Sequence, residues 1–356
     1  MAEKAGFAPE KLGSACRLLD QEVADGKLGA AALLVARNGI VAVERSYGRL
    51  RRDAAAQECR PDSVFLVASI SKPVTVMGFM KLVERGRVRL EDPVTKYLPE
   101  FQGDAREKIT VRQLLCHASG LPDMLPDNVE LRKRQAPLKD FVAGTLRTPL
   151  LFPPGTKVSY QSMGILLAAE ILERTTGQKL DAFLQKEIFA PLGMSRSSMG
   201  LGKNRIEDTV QVDLPLEGDV PQTEADRAWH WNSPYWRTMG APWGGMHTTV
   251  ADIARALEAM LDAGKPVLKP ETAQVMRSDQ NKGLNTPWGL GWKVGAGAFY
   301  DGSPAAMFGH GGATGTLCWA DPGRQIVFVL FTNRPEVNDK TDFRKKVSAA
   351  VAQAAA

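Results

Sequence analysis

The stretch FLVASISKPVTVMGFMKLVERG, residues 65–86, places Ser69, Ser71 and Lys72 at the head of an otherwise apolar run. Val76, Phe79, Met80 and Val83 recur at spacings of three and four, and Arg85 and Gly86 close the run, so the spacing predicts an amphipathic helix facing a core. Pro73 fits its first turn, where N–H groups have no intrahelical acceptor to lose. Ser69 then sits at or near the helix N-terminus, with Lys72 one turn further on the same face.

A serine hydroxyl becomes a nucleophile when an adjacent base takes its proton, and a lysine desolvated by apolar neighbours has its pKa lowered towards that task. A helix N-terminus also favours the negative charge that develops during acyl transfer. Taken alone, Ser-x-x-Lys is read more simply as a capping serine beside a solvated lysine, because helix starts favour serine. Ser69 is the only serine in the chain followed by Lys at this spacing. The rest of the sequence has to decide.

The chain has 356 residues, 44% of them hydrophobic and 24% charged, which is the composition of an ordinary globular protein with a large core. Its net charge is +5, with basic runs at Arg49 to Arg52 and Arg132 to Arg134. No recognition helix, zinc finger or aromatic-basic sheet motif accompanies them, so they read as solvated faces and no nucleic acid is expected as a partner. Cys16, Cys59, Cys116 and Cys318 are scattered without a Cys-x-x-Cys pair, and His117, His230, His247 and His310 lack metal-site spacing. Neither a disulfide framework nor a metal is expected. The N-terminus carries no charged-then-apolar leader and no stretch approaches a membrane span, so the expected location is cytoplasmic unless a leader has been trimmed. Oligomeric state is not legible.

Along the chain, residues 9–26 read as a helix, and Asn38-Gly39 between two strand-like runs signals a hairpin. LEDPVTKYLPEF is a proline-marked loop. Thr110 and Gln113 form a capping box for a short helix that Gly120 and Pro122 should end. Residues 123–150 read as helical, PPGTKVSYQS as a loop entering a helix that Gly177 terminates, and LDAFLQKEIFAPLGM as another amphipathic helix. Residues 200–245 are irregular and hold Trp229, Trp231, Trp236 and Trp243, either a packed excursion or the aromatic wall of a cleft, with Trp243 a candidate substrate contact. Thr249 and Asp252 box a further helix. WGLGWKVG, MFGHGGATGTLCWADP and QIVFVLFTNR then read as antiparallel strands before a last helix.

Strands at both ends with helices between imply an α+β fold of α/β-sandwich type. Its antiparallel sheet is built from N- and C-terminal segments and flanked by helices, with an inserted helical region. The expected organisation is one domain over residues 1–356, its α/β part at about 8–85 and 245–356 and the insert at about 86–244.

Two other stretches carry chemistry. Tyr160-Gln161-Ser162 lies in a loop before an apolar helix, where a phenol can point into a cleft, although a lone tyrosine is more simply a packing residue. His310-Gly311-Gly312 opens a strand, and its glycines permit close approach of a ligand to backbone, although a lone histidine there is more simply structural.

In order, Ser69-x-x-Lys72, Tyr160-x-Ser162 and His310-x-Gly312 resemble the serine beta-lactamase and penicillin-binding-protein superfamily. The closer resemblance is to the branch holding class C beta-lactamases, D-alanyl-D-alanine carboxypeptidases and beta-lactamase-like carboxylesterases. ITVRQLLCHASGLP, FAPLGM, WGGMHTTVADIARAL, WGLGW and GHGGATG extend the likeness from about residue 10 to 350. The resemblance implies a beta-lactamase/transpeptidase-like fold in which Ser69 is acylated, Lys72 accepts or relays its proton, and Tyr160 is the partner acid/base. The backbone N–H groups of Ser69 and Ala313 would form the oxyanion hole, with Ser162, His310, Gly311 and Gly312 along the substrate.

The chain departs from the lactamase pattern twice. Ser162 stands where relatives often carry Asn, and His310 where they often carry Lys, so both the grip on a substrate amide and the cation for a substrate carboxylate are weakened. The expected activity is therefore that of a carboxylesterase on short-chain acyl esters, a small-molecule ester or amide being the partner and no cofactor being needed. The alternatives are a beta-lactamase or a D-alanyl-D-alanine carboxypeptidase or D-amino-acid peptidase, and further a catalytically idle scaffold on the same fold. A different esterase fold is disfavoured, because no Gly-x-Ser-x-Gly elbow occurs.

Overall fold

The computed structural model describes residues 1–214, 224–339 and 341–355. Its strands are β1 (Ala30–Arg37), β2 (Ile40–Gly48), β3 (Phe65–Leu66), β4 (Ser198–Met199), β5 (Met246–Thr248), β6 (Lys293–Val294), β7 (Phe308–Gly312), β8 (Thr316–Asp321) and β9 (Ile326–Thr332). Six of them pair antiparallel in the order β2-β1-β9-β8-β7-β6, so strands from the two ends of the chain share one sheet, as their sequence patterns predict. β9 is buried along its whole length and β1 along all but its last residue, which is why both read as continuous apolar runs. Edge strand β2 mixes buried and exposed positions. Asn38 and Gly39 turn the β1–β2 hairpin with φ of 51° and 72°, the left-handed pair a two-residue turn demands.

The helices are α1 (Pro9–Ala24), α2 (Ser71–Glu84), α3 (Val111–Leu115), α4 (Asn128–Lys133), α5 (Leu138–Thr145), α6 (Met163–Thr176), α7 (Leu180–Leu184), α8 (Glu224–Arg227), α9 (Pro234–Met239), α10 (Val250–Leu261), α11 (Pro270–Met276) and α12 (Phe343–Ala354). α1 and α12 pack on each other over one sheet face, where Leu33, Trp319 and Phe328 are buried with Leu12, Leu19 and Val347. α10 packs on the other face, and the core there continues without a break through α2 into α3, α5 and α6.

Several local expectations change. α2 is not amphipathic: Ser71 to Met80 are all buried, so its polar residues must find partners inside the protein. α3 ends with His117 in the left-handed conformation, φ 65°, before Gly120 is reached. Its capping box of Thr110 and Gln113 is present. The Thr249 box is half-made: Thr249 accepts from the Asp252 N–H, but the Asp252 carboxylate turns to Arg196 N and Ser197 Oγ, which offer it two bonds instead of one. LDAFLQKEIFAPLGM gives only α7 and then a π-turn at Gln185–Phe189. WGLGWKVG yields only the two residues of β6. Within 200–245, α8 and α9 are helical, and residues 215–223 lie outside the described part.

A second small sheet, β3-β5-β4, has no sequence signal, because strands of two or three residues carry no period. It pairs the segment leading into α2 with the segment leading into α10. The turn after β7 is bolted to the same place, since Thr314 Oγ1 donates to Leu66 O at 2.7 Å and Thr316 Oγ1 to Val67 O at 3.0 Å. Gly312 is where the two backbones meet: a Cβ there would lie 2.3 Å from Val67 O and 2.2 Å from Thr316 Oγ1. Gly312→Ala should therefore destabilise the fold by about 1–3 kcal/mol through overpacking against backbone that cannot yield, read as a lower urea midpoint at unchanged m.

Candidate active site

The chain leaves β3, makes a 3-10 turn over Ala68–Ile70 and enters α2 at Ser71. Ala68 has φ 45°, a strained value for a residue with a Cβ, immediately before Ser69. Ser71 holds the turn by donating from Oγ to Ala68 O at 2.6 Å while accepting from Met246 N at 3.0 Å. Ser69 is left partly exposed between buried Ala68 and Ile70. Its N–H and that of Ala313 find no backbone acceptor among the described residues, so both remain available to an outside oxygen.

Lys72 is fully buried, with Nζ 2.9 Å from Ser69 Oγ and 3.1 Å from Trp243 O. Burial pulls its pKa from 10.5 down to about 7, against a smaller opposing pull from the Asp123 carboxylate. The size of the shift decides its chemistry. At pH 7 an ordinary lysine is neutral in roughly one molecule in three thousand, whereas an amine lowered this far supplies its neutral form near neutrality.

Tyr160 lies over Lys72, whose Nζ is 4.6 Å from the ring centroid, and the Ser69 side chain beside its hydroxyl offsets part of the effect of burial on the phenol. Burial raises the phenol above its ordinary pKa, so Tyr160 keeps its proton. His310 packs 5.9 Å from the Tyr160 ring and 5.9 Å from that of Trp288. Its Nδ1 meets Gly311 O at 2.5 Å, and burial with the neighbouring Lys72 charge lowers its pKa to about 3, so the imidazole is neutral.

Ser69, Lys72, Tyr160 and His310 thus converge, with Gly311 and Ala313 half-buried at the end of β7. Gly312 serves the packing against Val67 described above. Two other expected contacts are placed differently. The Trp243 ring is 2% exposed and packs on Phe141 and Trp236, so it lies behind Lys72 and contributes its carbonyl rather than a cleft wall. Ser162 is buried with its Oγ donating to Asp123 Oδ1 at 2.6 Å, which leaves the hydroxyl committed within the protein. A cavity of about 580 Å³ lined by Leu138, Val142, Leu166, Met199 and Pro242 lies apart from this cluster and includes none of Ser69, Lys72 or Tyr160.

Sequence reasoning missed Asp123, His117 and Trp288. Asp123 follows Gly-Leu-Pro in a loop without period, and its contact with Ser162 is made only by folding. The Trp288 ring closes a cluster with Tyr160, His117 and His310, again across distant segments.

Residues 16–353 match the family model described as Beta-lactamase. The chain belongs to the beta-lactamase family. It is similar to Esterase EstB of Burkholderia gladioli, with 30% identity over 354 residues, covering 89% of this chain and 87% of that protein. It is also similar to Penicillin-binding protein 4 of Amycolatopsis lactamdurans, with 30% identity over 293 residues, covering 76% of this chain and 72% of the relative. The fold matches that of EstCE1, a hydrolase with promiscuous acyltransferase activity, with a TM-score of 0.79 at 20% identity over 96% of this chain and 98% of that one. The chain is accordingly a serine hydrolase of the beta-lactamase and penicillin-binding-protein superfamily.

Because Asp123 raises the Lys72 pKa, Asp123→Asn should lower it. Any rate that requires neutral Lys72 climbs with pH through its pKa, so the rising limb of kcat/KM, expected near pH 7, should move to lower pH in the variant. A limb that stays put or moves up would remove Lys72 as the titrating base.

Proposed function

We propose that this chain is a carboxylesterase that hydrolyses short-chain acyl esters through an acyl-enzyme on Ser69. The observation that carries the reading is the contact of a buried Lys72, its pKa near 7, with Ser69 Oγ at 2.9 Å. Ser69 Oγ attacks the ester carbonyl while its proton passes to neutral Lys72 Nζ. The oxyanion is met by the N–H groups of Ser69 and Ala313. Tyr160, protonated and beside Ser69, gives its proton to the departing alkoxide and is resupplied from the Lys72 ammonium lying over its ring. Water then enters the vacated position, gives a proton to the Tyr160–Lys72 pair and attacks the acyl carbonyl. Collapse of that intermediate returns the proton to Ser69 and releases the acid.

Ester over lactam or peptide is supported by what surrounds this machinery. His310 is neutral and offers no positive charge to a substrate carboxylate, and the Ser162 hydroxyl is held by Asp123 rather than free to grip an amide. The likeness to Esterase EstB points the same way. The likeness to Penicillin-binding protein 4 keeps beta-lactam or D-alanyl-peptide cleavage as the second reading.

Wild type and Ser69→Ala are compared on p-nitrophenyl butyrate and nitrocefin. Ester turnover should fall at least about 10³-fold in the variant, with little nitrocefin cleavage by either. Dominant nitrocefin turnover would install the second reading, and an ester rate unchanged by the substitution would end the acyl-enzyme on Ser69. Tyr160→Phe should cost about 10²–10⁴-fold on ethyl butyrate and less on p-nitrophenyl butyrate, whose phenolate leaves without a proton. Equal losses on both esters would deny Tyr160 the role of leaving-group acid.

A further inference from the structure

α3 closes with the Ala118 N–H donating to Gln113 O at 3.0 Å, the bond of a helix end whose left-handed residue is ordinarily glycine and sometimes asparagine. His117 occupies that position, with φ 65°, where a Cβ is sterically unwelcome. What the histidine does there is hold both neighbours of Tyr160. The Ser159 N–H donates to His117 O at 2.9 Å, and the Gln161 N–H donates to His117 Nδ1 at 3.2 Å. The imidazole also packs on the Tyr160 ring at 4.8 Å between centroids and edge-on to Trp288 at 4.7 Å.

The same loop is tied down a second time through the Gln161 side chain. Its carbonyl accepts from Ser119 Oγ at 2.7 Å, and its amide donates to Gln113 O at 3.2 Å and Leu114 O at 3.3 Å. Because Nδ1 accepts, the ring proton sits on Nε2, and Nε2 is buried with no partner among the described residues. The acceptor role of Nδ1 at Gln161 is thus the one polar contact the ring makes among the described residues.

We propose that His117 is the positioning residue for Tyr160, clamping the backbone on either side of it so that the phenol is held against Ser69 and over Lys72. This rests on the acyl-transfer reading given above. A proton donor displaced by about 1 Å loses about 10²-fold in rate, so the clamp acts on turnover rather than on substrate affinity.

The test compares wild type, His117→Asn and His117→Phe. Asparagine tolerates the left-handed backbone and keeps an acceptor near the Nδ1 position; phenylalanine keeps the ring and removes the acceptor. For each, kcat and KM on ethyl butyrate, whose alkoxide leaves only with a proton, the rate of Ser69 labelling by a fluorophosphonate, and the melting transition are measured. His117→Phe should lower kcat about 100-fold and slow labelling with KM nearly unchanged, while His117→Asn recovers most of both. A folded His117→Phe with wild-type kcat, or a His117→Asn as impaired as His117→Phe, overturns the proposal. Wild type that is labelled but turns over no ester removes the ester reading alone, and the labelling rates then decide on His117. Wild type that is neither labelled nor active removes the acyl-transfer reading and the positioning role with it. Should His117→Phe fail to fold, Ser119→Ala, which frees the Gln161 carbonyl, takes its place, with the same kcat loss expected and an unchanged kcat counting against the clamp.

Discussion

The burial of Lys72 is the constraint on which the rest depends. An ammonium taken out of water with no carboxylate in contact among the described residues is costly, and the protein keeps Lys72 by bonding Nζ to a serine hydroxyl and a backbone carbonyl, neither of which fully compensates a charge. The group answers by giving up its proton near neutrality, and that is the property an acyl-transfer base needs. The apolar character of α2 is therefore not separate from its chemistry: the helix is buried on every side over its first ten residues, and the same burial that fills the core tunes the amine.

Around this helix the fold is arranged to fix a few backbone positions rather than to supply many polar side chains. The β7–β8 turn is held to Leu66 and Val67 by two threonine hydroxyls, with Gly312 allowing the closest approach. That contact brings the end of β7 against Val67, which leads into the Ala68–Ser69 turn, so the turn is braced by a segment far away in sequence. Pro242 O and Trp243 O fasten Thr75 and Lys72 from the other side. The small β3-β5-β4 sheet joins both arrangements, since Ser71 and Val67 each bond the main chain of Met246 at its middle strand.

The electrostatics of the site are sparse. His117 and His310 are both held neutral by burial, with the Lys72 charge adding to the effect. Asp123 is the acidic group that acts on Lys72 and Tyr160 together, favouring the protonated form of each. Among the described residues the site has little fixed positive charge, which suits the neutral ester proposed above better than a charged substrate.

By itself the sequence determined the strand-bearing ends, the helical middle, the hairpin at Asn38-Gly39, the capping box at Thr110, and the order of Ser69, Lys72 and Tyr160. These follow from period, turn chemistry and short spacing, which are local and survive in one dimension. The sequence could not show that α2 is wrapped on all sides, because its polar face is occupied by partners from Pro242, Trp243 and Met246, far along the chain. For the same reason the tryptophan-rich stretch misled: Trp243 looks like a cleft wall until packing turns its ring inward and its carbonyl towards Lys72. Asp123, His117 and the commitment of Ser162 were decided only by tertiary structure, since each depends on a hydrogen bond or ring contact between loops that no periodicity connects.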